Sequence, residues 1–375
     1  LLQSGSKDSV IIFCLPRDPD MEIWTGYRAG PEGCIQFFGA DQAFTLDQVD
    51  EEMPKLLNGV DQLLYPFNRD PNLDTRVKGW LSQMSKKVRT GIELPKSFAD
   101  SGGLVHEMRL IKSDAEIVLM QRAADISAQA HCLAMKTAKA GMNEYQLEAV
   151  FLSYCMQQGA RNQAYTPIVA GGQNSCILHY IENNQTIKEG ALVLIDAGCE
   201  LDNYASDITR TFPVTGRFSK EQAAIYDIVL KANLACIERV KPGFCWNDLH
   251  ELSVKLLTEG LVELGLLAGE VDQLIESGAY RRFYMHRIGH WLGMDVHDVG
   301  SYRLAGQWRN LEPGMVTTIE PGIYIAPDDA SVEERWRGIG IRIEDDVLVT
   351  KDGCRVLTSG VPKAREEIEA LMQHG

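Results

Sequence analysis

The sequence predicts an α/β (α+β) protein in two parts, a smaller N-terminal α/β domain and a larger domain in which a helix-helix-strand unit occurs twice. Short apolar runs alternate with helical patterns up to about residue 100, and four longer helical patterns follow. Two apolar runs in the second part end in an acidic residue within matching contexts. The predicted boundary near Ser101-Gly102-Gly103 assigns residues 1–105 and 106–375 to the two domains.

The N-terminal elements are predicted from runs of β-branched and aromatic residues and from helix-start signals. Strands are predicted from Ser9 to Pro16, from Cys34 to Gly39 and from Gln62 to Phe67, and helices begin near Thr45 and near Asp74. The alternation of the two element types indicates an α/β domain.

The helices of the second part begin at recognisable caps. Ser113-Asp114-Ala115-Glu116 is a capping box that opens a helix through about Ala140, and Asn143 opens the next, which runs toward Gly159. Ser219-Lys220-Glu221-Gln222 is a second capping box, and Asn247 opens a fourth helix that ends near Gly265.

The strands of the second part repeat each other. Gly190 to Gly198 and Gly314 to Gly322 both read as an apolar run, then an acid, with a glycine six residues before that acid and another two after it. A second strand pattern with a second acid follows each. Two such units imply a pseudo-twofold axis, with the acids at its seam.

Five potential metal ligands lie in these strands and in one Gly- and His-rich segment: Asp196, Asp207, His290, Glu320 and Glu344. Each alone would be read as a solvated loop residue, a helix cap or a structural histidine. Together they would be costly to bury around one point without cations. Four carboxylates and one imidazole favour two divalent cations such as Mn²⁺, Co²⁺ or Zn²⁺ over a thiolate zinc site.

The composition favours a soluble enzyme. A net charge of −15 argues against a nucleic-acid partner, because phosphates select Lys and Arg. The nine cysteines show no CxxC spacing, which favours free thiols in a reducing cytoplasm over a disulfide framework. Since no apolar run is long enough to span a bilayer, no membrane partner is predicted.

These motifs resemble aminopeptidase P, the Xaa-Pro aminopeptidases of the pita-bread metallopeptidases, and above all the bacterial cytoplasmic type. The resemblance extends from Trp24 to Leu371 and is most specific in Cys176 to Tyr180, Ser206 to Pro213, His290 to Asp298 and Arg337 to Asp345. It is weaker at Arg287-Ile288 and from Tyr302 to Asn310. The family implies a C-terminal pita-bread domain and an N-terminal domain that here lacks roughly its first sixth.

The resemblance also implies roles. Asp207 and Glu344 would bridge two metal ions, for which the resemblance favours Mn²⁺. Asp196 would complete the coordination of one ion, and His290 and Glu320 would complete that of the other. Glu320 would accept a proton from the attacking water and pass it to the proline nitrogen. The remaining expected catalytic or substrate-binding residues are His297, His286 and His179 around the scissile bond, Arg342 and Tyr324 beside them, and Trp24, supplied by a neighbouring subunit of a dimer or tetramer.

Four alternatives share part of this pattern. An Xaa-Pro dipeptidase, or prolidase, has the same ligands, so peptide length must separate it. Methionine aminopeptidase lacks the N-terminal domain and the Cys176 to Tyr180 motif. Creatinase-like relatives keep the fold without metals, and a catalytically inactive binding module would be expected to have lost ligands. This chain keeps all five.

Overall fold

The computed structural model describes residues 2–3 and 8–373 of the chain, with side chains for 8–373. The chain divides into two compact units, Leu1–Val105 and His106–Gly375. The predicted outer bounds at residues 1 and 375 lie outside the described residues. In the part of the chain that is described, no helix is long and apolar enough to cross a membrane.

The first unit contains two small sheets with helices between their strands. Strand β2 pairs antiparallel with β1 and parallel with β3, and β4 pairs parallel with β5. Its elements are β1 (Leu2–Gln3), β2 (Ser9–Cys14), α1 (Pro19–Thr25), α2 (Gly30–Phe38), β3 (Gln42–Thr45), α3 (Val49–Leu56), β4 (Gln62–Tyr65), α4 (Pro71–Ser85) and β5 (Ser97–Asp100). Helix α5 (Gly102–Leu110) crosses the boundary between the units.

One predicted strand of this unit is wrong. The segment from Cys34 to Gly39 belongs to helix α2, and the strand follows at Gln42–Thr45. Pro31 in the first turn and Gly39, with φ of 69° at the C-cap, start and stop that helix. These end signals, together with packing of Cys34, outweigh the β propensity of Ile35, Phe37 and Phe38.

The second unit carries the two predicted helix pairs. Helix α6 ends three residues before the predicted Ala140, and α7 and α9 agree with the prediction within two residues at each end. Helix α8 begins where its capping box predicted. Its helices are α6 (Asp114–Thr137), α7 (Glu144–Gln157), α8 (Lys220–Arg239), α9 (Trp246–Glu263), α10 (Val271–Glu276) and α11 (Arg365–Gln373).

Its strands are β6 (Asn162–Gln163), β7 (Ile168–Gly171), β8 (Leu192–Asp196), β9 (Cys199–Leu201), β10 (Tyr204–Ala205), β11 (Thr209–Pro213), β12 (Arg303–Leu304), β13 (Gln307–Trp308), β14 (Val316–Ile319), β15 (Gly322–Tyr324), β16 (Gly340–Arg342), β17 (Asp345–Val349) and β18 (Cys354–Val356). The sheet β11-β8-β7 follows the first helix pair and the sheet β14-β17-β18 follows the second, so the predicted repeat is present.

The two repeats meet through β11 and the segment between β16 and β17. The Glu344 amide donates to the Thr209 carbonyl at 3.1 Å. The fully buried guanidinium of Arg210 donates to the Glu344 carbonyl at 2.6 Å and to Asp345 at 2.7 Å. Because these bonds join residues more than 130 positions apart, they hold the seam of the pseudo-twofold in register.

Candidate metal centre

A cavity of about 450 Å³ opens at this seam. Its walls contain all five predicted ligands together with His179, His286, His297 and Arg342. A somewhat larger depression of about 530 Å³, beside Gly171 and Lys188, contains none of the predicted site residues.

The strand pairing explains why the four acids converge. Asp196 ends β8, and Asp207 lies just before the antiparallel partner β11, so both acids stand at one end of that pair. Glu320 follows β14 and Glu344 precedes its antiparallel partner β17, which repeats the arrangement. Antiparallel pairing places the end of one strand beside the start of the next. Asp207 itself lies in the loop before the strand predicted for it.

The ligand atoms are close to one another. Donor atoms of Asp207, His290 and Glu344 all lie within 4.8 Å of each other. The His290 Nε2 atom is 3.4 Å from Asp207 Oδ2 and 3.9 Å from Glu320 Oε1. One tyrosine hydroxyl, that of Tyr165, contacts both Asp196 and Asp207, which places the fifth ligand in the same group.

His290 is oriented by backbone contacts with β14. Its Nδ1 atom lies 3.0 Å from the Trp291 carbonyl, a geometry that assigns the ring proton to Nδ1 and leaves the Nε2 lone pair directed at the acids. The preceding Gly289 permits this approach, since a Cβ there would lie 2.0 Å from the Thr318 carbonyl oxygen. A larger residue at position 289 would push the imidazole segment off the strand.

A second group of polar contacts surrounds Arg342. Its guanidinium donates to Asp196 Oδ2 at 2.6 Å, to the Tyr324 hydroxyl at 2.9 Å and to Thr209 Oγ1 at 3.2 Å. The Thr209 hydroxyl in turn donates to Glu344 at 2.7 Å. Arg342 therefore orients predicted ligands of both repeats, contacting Asp196 directly and Glu344 through the Thr209 hydroxyl.

His286 belongs to the same network. Its Nε2 lies 2.8 Å from the Tyr324 hydroxyl and its Nδ1 lies 2.8 Å from the Arg287 carbonyl. Because the Tyr324 oxygen accepts from Arg342, its proton is free to point at His286. Burial and then the charge of Arg342 lower the pKa of His286 to about 3, which keeps the ring neutral.

The three remaining predicted residues lie in different surroundings. His297 packs edge-on against His290, with ring centroids 4.3 Å apart, and faces the cavity as an exposed side chain. His179 is an exposed residue of the same wall. Trp24 belongs to the other unit, where it lies in α1 and is 83% exposed.

Sequence analysis missed two residues of this site. The Tyr165 hydroxyl lies 2.5 Å from an oxygen of Asp196 and 2.6 Å from one of Asp207, and Asp346 accepts the Asp207 amide at 3.1 Å. Tyr165 stands in a loop before β7, where no periodicity marks it. Asp346 is a buried residue of β17 whose second oxygen is without a hydrogen-bond partner among the described residues. A buried acid directly after Glu344 and Asp345 was the only available signal.

The electrostatics of the site show that the carboxylates are crowded. Burial, followed by the neighbouring acids, raises the pKa of Glu344 well above its usual range. Burial also raises the pKa of Glu320 to about 7 and that of Asp196 above its usual value. Burial lowers the pKa of His290, but the hydrogen bond and charge of Asp207 outweigh it and raise the value to about 9. Without cations, the acids are thus held partly by protons.

This donor set fits divalent cations. Four carboxylates and a neutral imidazole nitrogen offer hard ligands on two sides of one cavity, and their formal charge would balance two doubly charged ions. Arg342 and Tyr165 supply the outer contacts that orient such ligands. The residues present therefore fit a dinuclear centre.

Comparison with known proteins identifies the family. The model of metallopeptidase family M24 matches residues 118–351, and that of the aminopeptidase P N-terminal domain matches residues 1–65. The chain belongs to metallopeptidase family M24. This membership confirms the predicted enzyme class, a metal-dependent hydrolase, and implies divalent metal ions.

The M24 relatives of this chain are named Xaa-Pro aminopeptidases. The Xaa-Pro aminopeptidase of Escherichia coli K12 is 46% identical to this chain, over 96% of this chain and 82% of the relative. Human Xaa-Pro aminopeptidase 3 is 39% identical, over 96% of this chain and 70% of the relative. The structure of Pseudomonas aeruginosa aminopeptidase PepP is 52% identical, with a TM-score of 0.96 over 99% of this chain and 84% of that one. Aminopeptidase P II of Yersinia pestis is 45% identical, with a TM-score of 0.97 over 100% and 86%. The predicted aminopeptidase P family and fold class are confirmed.

The raised pKa values lead to a prediction about pH. Cation binding to this M24 site is expected to stabilise the protein more at pH 8 than at pH 6. Glu320, raised from 4.5 to about 7, and His290, raised from 6.5 to about 9, both bind protons more tightly in the folded state. The metal-free protein therefore loses stability as the pH rises through these two windows, whereas a cation replaces the protons.

Thermal unfolding with Mn²⁺ and with chelator, at both pH values, measures this effect. The metal-induced rise in Tm should be several degrees larger at pH 8, because fewer protons compete with the cation there. For scale, a ligand at 100 times its Kd adds about 2.7 kcal/mol of stability. The chelated protein is the control for pH effects elsewhere in the chain. An equal or smaller rise at pH 8 would contradict the proton competition.

Proposed function

We propose that this protein releases the N-terminal residue from peptides with proline in the second position. One observation carries the proposal: the five acidic and histidine ligands and the three further histidines and Arg342 line a single cavity. The names of the relatives support the same activity, and peptides are the substrates that an aminopeptidase requires.

Two divalent cations would be held by the five predicted ligands Asp196, Asp207, His290, Glu320 and Glu344, with Asp207 and Glu344 as the ligands expected to be shared. Bound there, they would lower the pKa of a water molecule and polarise the scissile carbonyl. We propose Mn²⁺ as the ion, with Zn²⁺ or Co²⁺ as alternatives, because the set is rich in oxygen.

The protein groups then have separate tasks. Glu320 would take a proton from water and return it to the leaving proline nitrogen. His297 and His179 are exposed to the cavity and free to contact the substrate beside the scissile bond. The predicted role of His286 at the oxyanion would require its ring to release the Tyr324 hydroxyl or the Arg287 carbonyl, because both ring nitrogens are engaged in this structure.

Proline is recognised by shape, because the bond to its nitrogen has no N–H to donate. The apolar side chains of Ile168, Leu178 and Ile181 share the cavity wall with His179. A compact ring of fixed φ fits such a surface, while the histidines contact the carbonyl groups on either side.

Prolidase activity is the alternative that the site leaves open, because its ligands would be identical. Digests of Xaa-Pro-Yaa and of Xaa-Pro, with Mn²⁺ and with chelator, separate the two activities by chromatography of the products. We expect release of the first residue from the tripeptide, abolished by chelator, and much slower cleavage of the dipeptide. Cleavage of the dipeptide alone would make the protein a dipeptidase, and cleavage of neither would favour an inactive binding module.

We further propose that the enzyme is a homo-oligomer, a dimer or tetramer, of the cytoplasm. All nine cysteines are free thiols, as a reducing compartment requires. The N-terminal unit exposes Ile23, Trp24, Tyr27 and Phe38, and contact with a second subunit would remove them from water.

Trp24→Ala is expected to raise KM for Xaa-Pro-Yaa by about tenfold while leaving the metal content unchanged. An indole supplied by a neighbouring subunit would contribute a large apolar surface to substrate binding. Steady-state kinetics beside sedimentation on wild type and variant measures both effects. Phe98→Ala is the control, because Phe98 is another exposed ring of the same unit and is not among the residues proposed for the subunit contact. An active monomer with unaltered KM would make Trp24 an ordinary surface residue.

A further inference from the structure

Arg287 lies in the wall of the catalytic cavity, and two tryptophans hold it there. The centre of its guanidinium is 5.2 Å from the ring centroid of Trp246 and 5.0 Å from that of Trp308. Its Nη2 donates to the Asn247 side-chain oxygen at 2.6 Å. Contact with two indoles and one amide fixes the position of a side chain that would otherwise be mobile.

No carboxylate is paired directly with this cation in the described part of the chain. Among the described residues, no acidic side chain forms a salt bridge with Arg287, and the amide of Asn247 is its one side-chain hydrogen-bond acceptor. Glu251 contacts the opposite end of that amide, at 2.7 Å from Asn247 Nδ2. Arg342, the other guanidinium of the cavity, is by contrast paired with Asp196 at 2.6 Å. Arg287 therefore has planar N–H donors left for a ligand.

The surroundings of Arg287 favour an anionic ligand. Arg303 stacks on the other partner ring, with its guanidinium 4.1 Å from the Trp308 centroid, and Arg281 adds a third positive charge near His250. The metal centre would hold the N-terminal end of a peptide, so the positive charge of Arg287, a residue of the same cavity wall, complements the carboxylate end.

We propose that Arg287 is a specificity-determining residue that binds a carboxylate of the residue after proline, which is either the C-terminal carboxylate of an Xaa-Pro-Yaa tripeptide or an acidic side chain at Yaa. This inference rests on the proposed aminopeptidase activity. A guanidinium fork binds a carboxylate through two parallel N–H donors, and the indoles keep the fork in place without neutralising it. The enzyme then favours short peptides or peptides with an acidic third residue.

Three peptides test the proposal: Ala-Pro-Ala, its C-terminal amide and Ala-Pro-Glu amide. The wild type is expected to show a KM for the free acid about tenfold below that of the neutral amide, which corresponds to about 1.4 kcal/mol. A low KM for the glutamate amide as well would assign the acidic side chain as a second ligand, whereas a low KM for the free acid alone would assign the C-terminal carboxylate.

Arg287→Met keeps the length of the side chain and removes the charge. Its ratio of the KM values for amide and acid is expected to fall from about ten to about one, because the charge-assisted bonds are lost. Arg287→Lys should retain part of the ratio, as a point charge without the planar fork. Arg303→Met removes a neighbouring charge from the same stack and should change the ratio less than about twofold, since Arg303 does not line the cavity.

Several results would overturn the proposal. One is a wild-type ratio of the amide and acid KM values near one. Another is a ratio that Arg287→Met leaves unchanged, and a third is a fall of that ratio in Arg303→Met as large as in Arg287→Met. Metal content and circular dichroism of the variants establish that each is folded, and Arg287→Lys carries the test if Arg287→Met is not. If the wild type cleaves none of the three peptides, the proposed function fails, whereas cleavage of all with equal KM rejects only the role of Arg287.

Discussion

Asp207→Asn or Glu344→Gln is expected to remove peptidase activity, with a fall in kcat/KM of more than about 100-fold, and to weaken the binding of at least one cation. Outer contacts of a metal site typically account for about 10- to 100-fold, so a ligand shared by two ions should exceed that range. Each amide has nearly the volume of the acid it replaces but carries no charge.

The position of the two residues supports this magnitude. Asp207 and Glu344 each contribute a donor atom to the group that lies within 4.8 Å, and they come from opposite repeats. Loss of either therefore leaves one side of the pseudo-twofold without its central carboxylate. Glu344→Gln also leaves the hydroxyl of Thr209 without its charged acceptor.

Metal analysis of the dialysed variants, beside kinetics on Xaa-Pro-Yaa, measures both effects. Asp227→Asn is the matched control. Asp227 lies on α8, is half exposed, forms a salt bridge with Arg365 and is outside the cavity. It should keep full metal and activity. Full metal occupancy together with full activity in Asp207→Asn or Glu344→Gln would disprove the ligand assignment.

His290→Ala and His297→Ala are expected to fail in different ways. The first should lose metal, because the free Nε2 of His290 is directed at Asp207 and Glu320. The second should keep metal and fold yet lower kcat by about 100-fold or more, since the proposed contact of His297 is made with the reacting carbonyl.

The two rings pack edge-on at 4.3 Å, so each variant is the natural control for the other. Both remove an imidazole from the same wall, and only the direction of the ring nitrogens differs. Metal content and kcat are measured on both under the same conditions. Wild-type kcat in His297→Ala would refute its catalytic role, and loss of metal from that variant would make it a ligand.

Local patterns in the chain were sufficient for most of the architecture. The capping boxes at Ser113 and Ser219 predicted helix starts to the residue, because each box is made within four consecutive residues. The apolar runs before Asp196 and Glu320 predicted buried strands, because a short continuous apolar run is also a local pattern. The segment from Cys34 was mistaken for a strand because its aromatic residues have high β propensity, and the helix depends on end caps and on packing.

The sequence by itself determined the repeat and the family and predicted the ligand set, since each depends on the type and spacing of nearby residues. The tertiary structure alone decided what surrounds the ligands. Tyr165 reaches Asp207 across 42 positions, Arg342 reaches Asp196 across 146, and Arg287 is held by Trp246 and Trp308. Periodicity encodes which face of an element is buried, but the partner that a buried polar group meets depends on how distant strands pair.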